Sequence, residues 1–170
     1  MKVLFRGKTD SGEWVYGDLL QPDVYNNIYS IYNFTRTGQE CFDVVPHTIG
    51  QYSGLLDKND KKIFDGDLVS YCTYDEFECT AVVRFGCYQQ DGSNGEYERV
   101  SCLGWYVEAT EYIRPKWAVC RNYLLPLYRK QQNLLEVVEK CEVVGNVWDN
   151  ELEYGERKNQ NFIKKEEINT

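Results

Sequence analysis

Short apolar runs, each cut off by a glycine, aspartate or asparagine turn, set the strongest limit on what this chain can fold into. Within the runs apolar and polar residues alternate, as in 25–34, where Ile28 and Ser30 point one way and Tyr29 and Ile31 the other. That period of two belongs to half-buried strands. The residue types agree: 14 Tyr, 7 Phe and 4 Trp suit pleated, half-covered surfaces. The 170 residues make one domain or two very small ones, long enough to bury roughly 70% of the unfolded surface without disulfides.

The first half reads as a hairpin and further strands. Strands at 3–5 and 14–20 flank a loop at 8–12 that ends in Gly12. A turn is expected at Gln21, Pro22 and Asp23, then a strand over 25–34, a turn at 38–40 and a strand at 41–45. Pro46 marks an element boundary, because it has no N–H to donate. Gly50 and Gly54 bracket a bulged strand over 48–55, and 57–61 is a polar turn. Asp65-Gly66 turns the chain between two short apolar pieces.

The second half holds strands at 68–74, 79–88 and 97–107, with a loop at 89–96. A short strand is read at 117–120. Leu134, Val137, Val138 and Cys141 recur at helical spacing, and Asn133 with Glu136 makes a capping box, so 134–140 is a helix. A closing strand follows at 142–148. The expected architecture is mainly β: an N-terminal β subdomain over 1–61 packed on a small SH3-like barrel over 62–150, with one to three short helices and a polar tail over 151–170.

Several chemistries lack their residues. Seven cysteines, no Cys-x-x-Cys and a single His47 fit neither a disulfide framework nor a zinc site, so free, mostly buried thiols and a reduced, cytoplasmic setting are expected. No leader and no run near the roughly 20 apolar residues of a membrane span is visible. His47 is the one imidazole for acid–base work, with no matched partner or orienter in view. Asp57, Asn59, Asp65 and Asp67 fail as a calcium loop, since Lys61, Lys62 and Leu68 stand where ligands and glycine belong. Asp65 and Asp67 remain a weak magnesium candidate. No cofactor motif is present, and Gly50, Gly54, Gly66 and Gly145 read as backbone necessities. A net charge of −8 makes nucleic acid an unfavoured partner. Tyr25, Tyr29, Tyr32 and Phe34 form the candidate interaction surface, open to ordinary cross-strand packing, a protein partner, or stacked bases.

Four blocks carry a resemblance. They are Phe5-Arg6-Gly7-Lys8 with Gly12-Glu13-Trp14-Val15-Tyr16-Gly17; the stretch 45–55; Asp57-Lys58-Asn59 with 63–69; and 143–150 at the end. Together they resemble the YopX family, encoded mostly by phages and prophages. The resemblance implies a mainly β fold and supplies no catalytic residues. Two departures stand out. Asn59-Asp60 replaces a frequent Asn-Gly, and Glu151 replaces a usual Pro. The functional expectation is a non-enzymatic accessory protein that binds a host or phage protein or assembles with itself. The alternative is a small single-strand nucleic-acid-binding barrel.

Overall fold

A computed structural model describes residues 3–35, 38–74, 76–91, 99–113, 116–120 and 130–149. The expected tail over 151–170 and most of the 89–96 loop lie outside them. The chain forms two antiparallel sheets. The first contains β1 (Phe5–Lys8), β2 (Trp14–Asp23), β3 (Ile28–Thr35), β4 (Gly38–Val44), β5 (Gly50–Leu56) and β6 (Lys62–Phe64), in the order β4-β3-β2-β1-β5-β6. The second contains β7 (Asp67–Cys72), β8 (Glu78–Asp91), β9 (Arg99–Ile113), β10 (Gln131–Asn133) and β11 (Glu142–Asn146), in the order β10-β9-β8-β7-β11. A 3₁₀ turn at Pro46–Thr48 and helices α1 (Lys116–Cys120) and α2 (Leu134–Val137) complete the described elements. The chain is mainly β, as its alternation required.

The β1–β2 hairpin forms where expected, closed by the Gly12 N–H donating to the Thr9 carbonyl. The turn after β2 comes later than expected. Strand β2 runs through Pro22 to Asp23, because the ladder with β3 is irregular between Leu20 and Asp23, where a missing N–H costs no regular bond. Asp23 Oδ1 then accepts the Tyr25 and Asn26 N–H groups and makes the turn itself.

The polar turn at 57–61 joins β5 to β6. Asp60 sits there at φ 61°, the left-handed conformation the family's glycine would adopt without cost. Asp60→Gly is therefore expected to stabilise the protein by ~0.5–1 kcal/mol. A urea midpoint below that of the wild type would show that the Asp60 side chain, rather than its backbone, matters.

The second sheet is open rather than an SH3-like barrel. Its edge strands, β10 and β11, do not pair with each other among the described residues. Helix α2 lies between them in sequence and covers the face that closure would have covered. Leu134, Val137 and Cys141 from this segment pack with Val69, Tyr71, Phe77, Cys79, Ala81, Val83, Val107 and Val143 in the main core. The helix starts as read: Asn133 Oδ1 accepts the Leu135 N–H. The 117–120 run is helix α1 instead of a strand, being too short for periodicity to decide between the two. Of the described thiols only Cys79 and Cys141 are buried, and burial pushes both up to about 11. Cys41, Cys72 and Cys87 are exposed, which corrects the expectation of mostly buried cysteines: they fall on the solvent-facing sides of their strands.

Candidate functional site

The chain passes from the first sheet to the second at Asp65-Gly66, a few residues beyond the boundary read from the sequence. The recognisable sequence blocks converge on this junction. Arg6, on β1, is 6% exposed. Its Nη1 lies 2.6 Å from Asp67 Oδ1, and its Nη2 donates to the Asp65 carbonyl at 3.2 Å. Three rings surround the guanidinium: its Cζ is 4.8 Å from the Trp14 ring centre, 4.9 Å from that of Phe64 and 5.6 Å from that of Trp148. A cation over aromatic faces is attracted by their quadrupoles.

Gly66 is required at this spot. At φ 77° a Cβ would stand 2.2 Å from Trp148 Cη2. Its N–H donates to the Val83 carbonyl and its own carbonyl accepts the Val147 N–H, so one glycine ties β8 to the segment after β11. Asp149 closes the outer side. It accepts from Trp14 Nε1 at 2.9 Å and Asn146 Nδ2 at 2.6 Å, and pairs with Lys8. Burial works against the Asp149 charge, but these hydrogen bonds outweigh it and hold the carboxyl down to about 2.

Asp67 and Asp65 behave in the opposite sense. Burial raises both, against the pull of Arg6 on Asp67 and of Arg84 on Asp65. As a metal pair they are placed apart in role: Asp67 faces the Arg6 guanidinium and accepts the Phe64 N–H at 2.8 Å. No cluster of three or more His, Cys, Asp or Glu ligands occurs among the described residues. The arrangement is a rivet between sheets in which Arg6 and Asp67 match charge, while Asp65 Oδ1 is buried with no hydrogen-bond partner among the described residues.

A second rivet stands at Asp57, 5% exposed. Its Oδ1 accepts the Asn59 and Lys61 N–H groups, and its Oδ2 the Val143 N–H on β11. Lys61 Nζ donates to the Val143 carbonyl, and Lys58 pairs with Glu142. The acidic cluster read from the sequence is thus largely consumed in joining the sheets.

The aromatic surface is divided. Tyr25 is fully exposed in the turn at 24–27. Strand alternation puts Tyr29 on the face of β3 that carries the buried Ile31, while Tyr32 and the 62% exposed Phe34 lie on the other. Tyr32 and Cys41 are cross-strand neighbours, and their hydrogen bond raises the phenol. His47 is exposed in the 3₁₀ turn.

Two surfaces escaped the sequence reading. One is the apolar group Phe85, Leu103 and Trp105 on the β8–β9 hairpin, with Phe85 58% and Leu103 73% exposed and the Phe85 and Trp105 rings 5.2 Å apart. The other is the outer edge of β4. Its signal in the sequence was an absence: no lysine or proline anywhere in Gly38–Val44.

No helix among the described residues is long and apolar enough to cross a membrane. Comparison with curated proteins finds no match. The family model for YopX protein matches residues 4–153, which takes in both sheets, both rivets and every block quoted above. With that span matched, the chain belongs to the YopX family.

Proposed function

We propose that this is a non-enzymatic phage or prophage accessory protein that acts in the host cytoplasm by binding another protein. The observation that carries the reading is the outer edge of β4, where the backbone N–H groups of Gln39, Cys41 and Asp43 have no partner among the described residues. The exposed Phe34 on the neighbouring strand adds apolar surface beside it. The buried charged residues support the same reading, because Arg6, Asp67 and Asp57 are engaged in holding the sheets together. Net charge −8 weighs against the single-strand nucleic-acid alternative, since phosphates would be repelled at long range.

The test is affinity capture with the tagged, full chain from phage-induced cells, followed by reconstitution with the purified candidate. One protein that re-forms a complex of defined stoichiometry is the expected result. Recovery of nucleic acid alone, or of nothing that reconstitutes, would overturn the reading.

A further inference from the structure

The four edges of the two sheets are not alike. Strands β6 and β10 are three residues long, and β6 carries Lys62. Strand β11 is broken by a register shift between Val143 and Gly145, and Asp57 and Lys61 reach its backbone. Shortness, lysines, bulges and cover are the usual ways of keeping an edge from pairing with another strand. Among the described residues strand β4 has no lysine and no bulge, and only its end, at Val44 and Val45, meets a strand besides β3, namely β1. It is seven residues long, and its ladder with β3 runs from Tyr29↔Val44 to Thr35↔Gly38 without a shift.

The free backbone groups can be assigned. Only residues 36 and 37 connect β3 to β4. In a two-residue hairpin the closing pair, here Thr35↔Gly38, exchanges both backbone bonds, and such pairs recur at every second position. Glu40, Phe42 and Val44 therefore turn their N–H and C=O towards β3, while Gln39, Cys41 and Asp43 turn theirs outwards. Val45 fits this alternation, since its N–H donates to the Lys8 carbonyl of β1 rather than to β3. Beyond that bond the backbone N–H groups of 39, 41 and 43 have no partner among the described residues.

Charge selects the occupant. Glu40 and Asp43 are exposed, and neither makes an ion pair among the described residues; Asp43 accepts only the Ser30 hydroxyl, at 2.7 Å. They lie three apart, so their side chains leave opposite faces of the strand. From this we infer that the β4 edge receives an antiparallel strand of a different protein, carrying Lys or Arg at two positions three apart. One cation would face Asp43 and the other Glu40, with an apolar residue between them against Phe42. The inference rests on the protein-binding reading above and gives that partner its chemistry.

A second copy does not fit. Pairing β4 with itself about Cys41 sets Gln39 against Asp43 and Phe42 against Glu40. It supplies no cation, and it gathers four carboxylates between chains of net charge −8. The two carboxylates thus protect the edge from its own kind and leave it open to a basic strand.

The probe is the capped peptide Thr-Lys-Val-Thr-Lys-Thr, titrated into the 15N-labelled full chain. Amide shifts are expected to concentrate at Gln39, Cys41 and Asp43, with a dissociation constant of several hundred micromolar, weakening several-fold between about 20 and about 200 mM salt. The same peptide with both Lys replaced by Glu should not bind. The double variant Glu40→Lys, Asp43→Lys should reverse the preference. Cys41→Pro should remove binding while leaving the β3 ladder intact, because it deletes an outward N–H. No shift up to about 2 mM peptide, or equal binding of both peptides, would overturn the inference. A captured partner that Cys41→Pro and the charge-swapped variant still retain would sink the edge while leaving protein binding standing. Failure to capture any partner would sink the reading beneath it.

Discussion

Arg6→Ala is expected to cost about 3–5 kcal/mol of stability, the usual penalty for leaving a buried charge without its partner. Asp67 is 1% exposed, and burial already raises its carboxyl. Without the guanidinium it must either stay charged with no counterion or take up a proton. The Asp65 carbonyl loses a donor, and Trp14, Phe64 and Trp148 lose the cation they enclose. In a chain of this size such a loss should lower the melting temperature by roughly 10 °C. Arg6→Lys would recover only part, because an ammonium cannot reach two acceptors in one plane while lying flat against rings. The double variant Arg6→Met, Asp67→Asn should recover most of the loss. It removes both charges of the pair, and the asparagine oxygen still accepts the Phe64 N–H. Urea unfolding of the four proteins checks this. A loss under about 1 kcal/mol in Arg6→Ala, or no recovery in the double variant, would show that the ion pair is not what holds the junction.

Asp57→Ala should cost about 3 kcal/mol at neutral pH, and the cost should depend on pH. Three N–H groups lose their acceptor, and that of Val143 is buried between the sheets. Asparagine is a poor rescue, since its amide nitrogen would face one of those donors. Burial pushes the Asp57 carboxyl up, but the N–H groups of Val143, Lys61 and Asn59 outweigh it and leave it below the ordinary value of 3.8. A carboxyl depressed in the folded state stabilises fully above its unfolded pKa, and that contribution disappears as pH falls through the folded one. The gap between wild type and Asp57→Ala should therefore narrow in acid, below about pH 4. Asp65 and Asp67 act in the reverse direction: their raised values cost stability at neutral pH, and that cost is relieved as pH falls. The comparison with the variant isolates Asp57 from them. A gap that stays constant down to about pH 2 would mean that its carboxylate charge is not involved.

The legible parts of this fold are the local ones. The Gly12 turn, the bulged strand around Gly54 and the Asn133 cap each follow from a few adjacent residues, and each stands where those residues place it, while the alternation read over 25–34 gives β3 from Ile28 onwards. Two of the errors are local as well. At Pro22 an irregular ladder overrode a turn signal, and at 117–120 four residues carried too little periodicity. The four blocks pointed to the right family. Nothing in them said that Arg6, Trp14, Asp67 and Trp148 would meet at one place.

By itself the sequence determined the mainly β class, most of the turns, the acidic charge and the family, because these depend on neighbouring residues or on sums over the chain. Tertiary structure alone decided that α2, rather than a barrel seam, covers the second sheet. It decided that the dispersed blocks meet in a rivet, and that β4 keeps an edge, unpaired among the described residues, flanked by Glu40 and Asp43. The physical reason is distance along the chain. A guanidinium finds its carboxylate, and a strand its neighbour, through contacts between remote residues that no short-range pattern records.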